Sequence, residues 1–82
     1  MSYTYREDVL KALLAHGIRP TERTDPALAR AFVRDLYKYE IRRLRERYLN
    51  REFAKQEYAD RVDRLRQQYP VLAWPARAWV KP

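Results

Sequence analysis

Acid–base or metal chemistry in this chain would have to draw on Asp8, Asp35, Glu40, Glu46 and the single imidazole, His16. Each of these carboxylates has a basic residue three or four positions away: Lys11, Lys38, Arg43 and Arg42 respectively. On a helix those spacings bring two side chains onto neighbouring turns, so all four acids are expected to form surface ion pairs. Zinc and iron sites rest largely on several His or Cys ligands, and here there is one His and no Cys. No H-E-x-x-H pair, Gly-rich phosphate loop or Gly-x-Ser-x-Gly elbow is present. His16 falls beside a helix C-terminus, where the helix dipole favours a cation, and reads as a surface residue. The expectation is a protein with no catalytic residues, no metal site, no cofactor and no small-molecule substrate.

The second kind of chemistry on offer is anion binding. Eighteen Lys and Arg stand against eleven Asp and Glu, a formal net charge of +7, and most of the positive residues are arginine. Arginine grips phosphate and carboxylate bidentately. Arg34, Lys38, Arg42 and Arg45 share one side of a single predicted helix, and only Arg42 has an acid, Glu46, four residues on. This band is the candidate polyanion site, with Arg23 or Arg30 as extensions. The acidic residues are interleaved with the basic ones along the chain, a pattern that a solvated surface also produces. Zinc-finger spacing, an RNP-like strand and a GXXG loop are all missing. A helix-turn-helix is disfavoured because the link from Ile18 to Thr24 exceeds the usual turn of roughly 3–4 residues.

The 82 residues allow one domain. A chain of this size buries only about 60–65% of its extended surface, too little for a deep cleft as well as a core. Met1 to Leu14 lacks the apolar run of a signal peptide, and no segment approaches the roughly 20 apolar residues of a membrane span. A soluble, cytoplasmic protein is expected, with no membrane partner.

The elements that must carry these residues are helices: the chain reads as all-α, with helices over about 5–15, 26–49 and 55–68 and an ordered aromatic tail over 70–82. In the first, Thr4 and Glu7 fit a capping box. Val9, Leu10, Leu13 and Leu14 form its buried stripe, with Gly17 as the left-handed residue past its end and Ile18 folding back. In the second, Asp25 is a good N-cap and Pro26 takes the first position, where its missing amide costs nothing. Its apolar stripe drifts from Leu28, Ala29, Phe32, Val33 and Leu36 towards Val33, Tyr37, Ile41, Leu44 and Tyr48. A long helix with two neighbours would show this drift: helix one against its first half, helix three against its second. Helix three carries Tyr58, Val62, Leu65 and Tyr69 within a narrow arc, with Glu57–Arg61 and Asp60–Arg64 as ion pairs worth about 0.2–0.5 kcal/mol each. Pro70 stops it.

One continuous helix from Pro26 to Tyr69 would put Arg51 and Lys55 on the stripe and turn Phe53 away. A turn near Asn50 to Ala54, with Asn50 accepting the left-handed conformation, avoids this and makes an antiparallel hairpin with Phe53 in its mouth. Ile41, Leu44 and Tyr48 are then expected to face Tyr58, Val62 and Leu65. The run Asn50-Arg51-Glu52-Phe53-Ala54-Lys55-Gln56-Glu57-Tyr58, followed by Val62 and Leu65, resembles the short helical hairpin called the SHOCT domain. In that motif a Gly turn and a Ser or Thr cap open a helix with Glu and an aromatic residue. Here Asn50 or Arg51 stands at the Gly position, and Ala54, which cannot cap, at the cap. The resemblance covers less than a third of the chain. It implies an accessory segment that oligomerises or binds partners, with no catalytic residues.

Trp74, Trp79, Leu72, Val71 and Val80 make the last twelve residues too apolar for a disordered terminus. Trp74 and Leu72 are expected to close the open end of the core, with Pro75 opening a short helical turn; in a sharper reading Trp79 and Val80 stay exposed as interface anchors. Of the seven tyrosines, Tyr37, Tyr48, Tyr58 and Tyr69 fall on packing faces with hydroxyls reaching solvent. Tyr39 is placed towards helix one, and Tyr3 and Tyr5 at that helix's start. Two functions fit this reading. The first is a non-catalytic helical interaction module that self-associates or binds a protein partner through Leu28, Phe32, Trp79 and Val80. The alternative is non-specific nucleic-acid binding at Arg34, Lys38, Arg42 and Arg45.

Overall fold

The computed structural model describes residues 2–82, and among them three α-helices are the dominant elements: α1 (Glu7–Leu14), α2 (Pro26–Leu49) and α3 (Lys55–Gln67). Two short 3₁₀ turns follow, Pro70–Ala73 and Ala76–Ala78. The fold is all-α. Helix α2 runs the full predicted length, capped by the Asp25 carboxylate accepting from the Ala27 amide at 2.8 Å, with Pro26 in its first turn. It gives the molecule its elongated form, 49 × 19 × 16 Å.

Helix α3 folds back on α2 as an antiparallel partner. Tyr48 stacks on Tyr58 at the closed end, with ring centroids 4.5 Å apart, and Glu40 meets Tyr69 at the open end. Phe53 fills the mouth beside this pair, its ring centroid 6.5 Å from that of Tyr48 and 6.4 Å from that of Tyr58. The turn is left-handed at Arg51 (φ 61°) and not at Asn50. The Arg51 amide bonds to Tyr48 O and the Glu52 amide to Arg47 O, satisfying the last carbonyls of α2 in the manner usually reserved for glycine. Ala54 stands at the N-cap of α3 with no side-chain cap.

Helix α1 is shorter than the sequence suggests, and no capping box forms. Its N-cap is Arg6, without a side-chain cap. The backbone ahead of it is held by the C-terminus instead: Lys81 donates to Thr4 O at 2.8 Å, Arg6 to Trp79 O at 3.0 Å, and Tyr5 bridges Val80 in antiparallel sense. Extended pairing with the tail outcompetes one more helical turn. The far end of α1 is as expected: Gly17 (φ 75°) ends it, and the Ile18 amide bonds to Leu13 O at 3.0 Å.

The tail takes much of the packing expected of α1. Both 3₁₀ turns lie against α2, and α1 lies against the first of them. The core gathers Tyr5, Val9, Leu13, Ala29, Val33, Tyr69, Val71 and Trp79. Trp79 is its centre, 0% exposed, with the indole N–H donated to Val71 O at 3.1 Å. This reverses the expected order of the tail: Trp79 is an internal anchor, while Trp74 remains 38% exposed. With the tail laid on α2, the stripes of both helices are only partly used. Leu10 and Leu14 on α1, and Leu28 and Phe32 on α2, are exposed.

Candidate functional site

The predicted basic band forms as a surface. Arg34, Lys38, Arg42 and Arg45 are all exposed on α2. Among the described residues, Arg34 approaches Asp35 at 3.9 Å, and no carboxylate lies within 4.0 Å of Lys38, Arg42 or Arg45. Arg30 does not extend the band. Its guanidinium donates to Trp74 O at 2.8 Å and Leu72 O at 2.9 Å, and so straps the tail to α2.

Of the predicted apolar interface, Trp79 is withdrawn into the core and Val80 is half-buried in the pairing with Tyr5. Leu28 and Phe32 are 70% and 60% exposed, and Tyr39, placed by the sequence towards helix one, is 54% exposed. These three lie on one face of α2, at i, i+4 and i+11, with Asp35 at i+7 between them. At about 100° per residue this stripe is roughly a quarter turn from the basic band. The Arg43 guanidinium lies 5.9 Å from the Tyr39 ring centroid, extending the stripe with a cation–π contact.

The candidate acids do not make the expected helical pairs. Asp8 meets Arg6 at 3.4 Å and Asp35 meets Arg34. Glu40 accepts a hydrogen bond from the Tyr69 hydroxyl, which therefore does not reach solvent as a rim tyrosine would. Burial, then this bond to Glu40, pushes the Tyr69 hydroxyl well above the ordinary tyrosine range. His16 is a packing residue, stacked on Tyr69 at 4.1 Å with Nε2 2.6 Å from Gln68 O. Tyr37 meets the other side of Tyr69 edge-on at 5.2 Å. The cluster ties the turn after α1 and the segment after α3 to α2: the imidazole has a carbonyl partner and the carboxylate a phenol, so each polar group is spent on packing. Among the described residues no three His, Cys, Asp or Glu side chains are grouped as a metal site, and no helix is long and apolar enough to cross a membrane.

Sequence reasoning missed an open groove between α2 and α3. Its walls carry Arg43 and Arg47 from α2 and Arg61 and Arg64 from α3, and Leu36, Leu44 and Leu65 line it as well. The two acids in it are engaged, Glu40 by Tyr69 and Glu57 by Arg61 at 3.0 Å. The signal was present: Glu57, Arg61 and Arg64 follow at i, i+4 and i+7. In sequence these residues suggest only the ion pairs Glu57–Arg61 and Asp60–Arg64, because the side facing α2 cannot be told from one helix alone.

No family model matches the chain, and no curated protein or solved structure matches it. The resemblance of the 50–65 segment to the SHOCT hairpin thus rests on residue spacing alone and brings no activity with it.

Proposed function

We propose that this protein is a non-catalytic helical interaction module that self-associates through the Leu28–Phe32–Tyr39 face of α2. The observation that carries this is the exposure of three large apolar side chains on one regular helix face, beside a core that has already taken in Trp79. Small cores are marginal, and a self-complementary patch needs only one surface to make a two-fold dimer. The stripe suits that symmetry. Two antiparallel copies of α2 crossing between positions 35 and 36 set Phe32 against Tyr39 of the second copy, and Leu28 against the aliphatic stem of Arg43. Light scattering on wild type and Phe32→Glu at about 100 μM, where even weak micromolar dimers are populated, tests this. Wild type is expected as a dimer and the variant as a monomer with unchanged helical circular dichroism. A wild-type monomer, or a variant of unchanged mass, rejects the reading.

The second reading is non-specific nucleic-acid binding, favoured by the three band residues without a carboxylate partner. Binding of an oligonucleotide should then fall steeply with salt. Replacing Arg42 and Arg45 together by Glu should remove most of it, and wild type that fails to bind at about 50 mM salt discards it.

A further inference from the structure

The groove between α2 and α3 carries positive charge and apolar surface together, in a form that the outer band does not. Arg43 and Arg64 face it from opposite walls and, among the described residues, have no carboxylate within 4.0 Å. Between the walls lie Leu44, which is buried, and Leu36 and Leu65, which are half-buried. Arg61 adds an unusual feature. Its guanidinium is held 4.6 Å from the Phe53 ring centroid and bonds Glu57, yet its Nε–H is buried with no acceptor. A buried donor left unpaired is costly and uncommon in a folded protein.

We propose that this groove is a docking site for an acidic amphipathic helix of a partner protein. Charge complementarity decides the sign: both acids in the groove are already engaged, so what it lacks is carboxylate. The leucines decide the class. A phosphate backbone is polar along its whole length and would leave them unused, whereas an amphipathic helix lays an apolar stripe on them and presents its acids to the flanking arginines. Carboxylates brought to the arginine wall would also offer Arg61 the acceptor it lacks after a modest side-chain rotation. The groove runs from Leu36 to Arg47 along α2, roughly 16 Å at the helical rise, which matches about three turns of a partner helix. The docked helix would complete a three-helix bundle over the half of α2 that has only α3 beside it. The site uses the opposite side of α2 from the basic band and adjoins the self-association face, with which it shares Tyr39 and Arg43.

The probe is a fluorescent synthetic helix of about 18 residues with Leu at i, i+3, i+4 and i+7 spacing and Glu at the other exposed positions. Fluorescence anisotropy is read against wild type and two double reversals, Arg43→Glu/Arg64→Glu in the groove and Arg42→Glu/Arg45→Glu on the band. All four positions are exposed, and both variants change the net charge equally, so bulk electrostatics predicts equal loss. Docking in the groove predicts at least about a tenfold weakening for the first variant, a loss of about 1.4 kcal/mol, and less than about threefold for the second. A probe with Ser in place of Leu should lose binding to wild type. Equal weakening by the two variants, undiminished binding of the Ser probe, or no wild-type binding below about 1 mM overturns the proposal. So does a single-stranded oligonucleotide that binds with the same dependence on Arg43 and Arg64, which would assign the groove to nucleic acid.

Discussion

Replacing Trp79 by alanine tests whether the C-terminal tail is the centre of the core or a cover laid over it. Trp79 is fully buried among residues from the N-terminal segment, α1, α2 and the first 3₁₀ turn, so its removal leaves a cavity facing all of them. A Trp→Ala change at such a site costs about 3–5 kcal/mol. A domain of this length holds roughly 4–12 kcal/mol in total, so the variant should be close to unfolding at 25 °C. Trp79→Phe separates packing from hydrogen bonding: much of the apolar volume stays, but Val71 O loses the indole N–H. That carbonyl keeps the Trp74 amide at 3.2 Å, so the loss is that of one hydrogen bond, about 0.5–1.5 kcal/mol. Trp74→Ala is the control, because Trp74 is partly exposed and its backbone carbonyl, not its ring, is what Arg30 holds. It should cost less than about 1.5 kcal/mol, the lower end of what burying a large apolar side chain is worth. Urea unfolding followed by far-ultraviolet circular dichroism reads all three without relying on tryptophan fluorescence. The expected order of loss is Trp79→Ala, Trp79→Phe, Trp74→Ala. A cost for Trp79→Ala under about 1 kcal/mol, or one no larger than that of Trp74→Ala, would refute the reasoning.

The α2–α3 turn carries two unfavourable residues, and correcting either should stabilise the protein in the same urea assay. Arg51→Gly relieves a left-handed side-chain-bearing residue, and Ala54→Ser supplies the missing cap of α3; gains of about 0.5–1 kcal/mol each are expected, and a loss from either would show the turn to be misread. Alkaline pH should weaken the fold through Tyr69 and Tyr5, whose hydroxyls are raised above the ordinary 10.0, chiefly by burial. The unfolded chain releases these protons first, so their contribution is complete below pH 10 and is lost as pH rises above it. Urea midpoints measured from about pH 8 to about pH 11 should fall, and fall less in Tyr69→Phe.

Local signals were legible wherever one stretch of chain decides the outcome. Asp25 and Pro26 fix the start of α2, Gly17 with Ile18 fixes the end of α1, and the need to bring Phe53 inward fixes the hairpin. Signals failed where two distant stretches compete for the same backbone. Thr4 and Glu7 suffice for a capping box, and what prevents it is the pairing with Val80 and Lys81 from the far end of the chain. The two tryptophans were ordered wrongly for the same reason. Trp74 comes nearer to α3 in sequence, but the 3₁₀ turn after Pro75 carries Trp79 back over α2, where its indole finds Val71 O.

The drifting stripe of α2 shows how far periodicity reaches. It indicated that one helix meets two neighbours, and α2 does so. It assigned helix one to the first half, where the tail packs instead; the pattern alone does not separate the two, because Leu28, Ala29, Phe32, Val33 and Leu36 are apolar over a wider arc than one partner can cover. The tail takes the side with Ala29 and Val33, and α3 takes the side with Leu44. What remains is the sector running from Leu28 through Phe32 and Tyr39 towards Arg43, where the surplus breadth of the stripe ends up in solvent. A helix needs an apolar arc only as wide as the neighbours it packs against. The residues beyond that width add nothing to the core of a single chain, and the excess on α2 is the part of the sequence that monomer stability leaves unexplained.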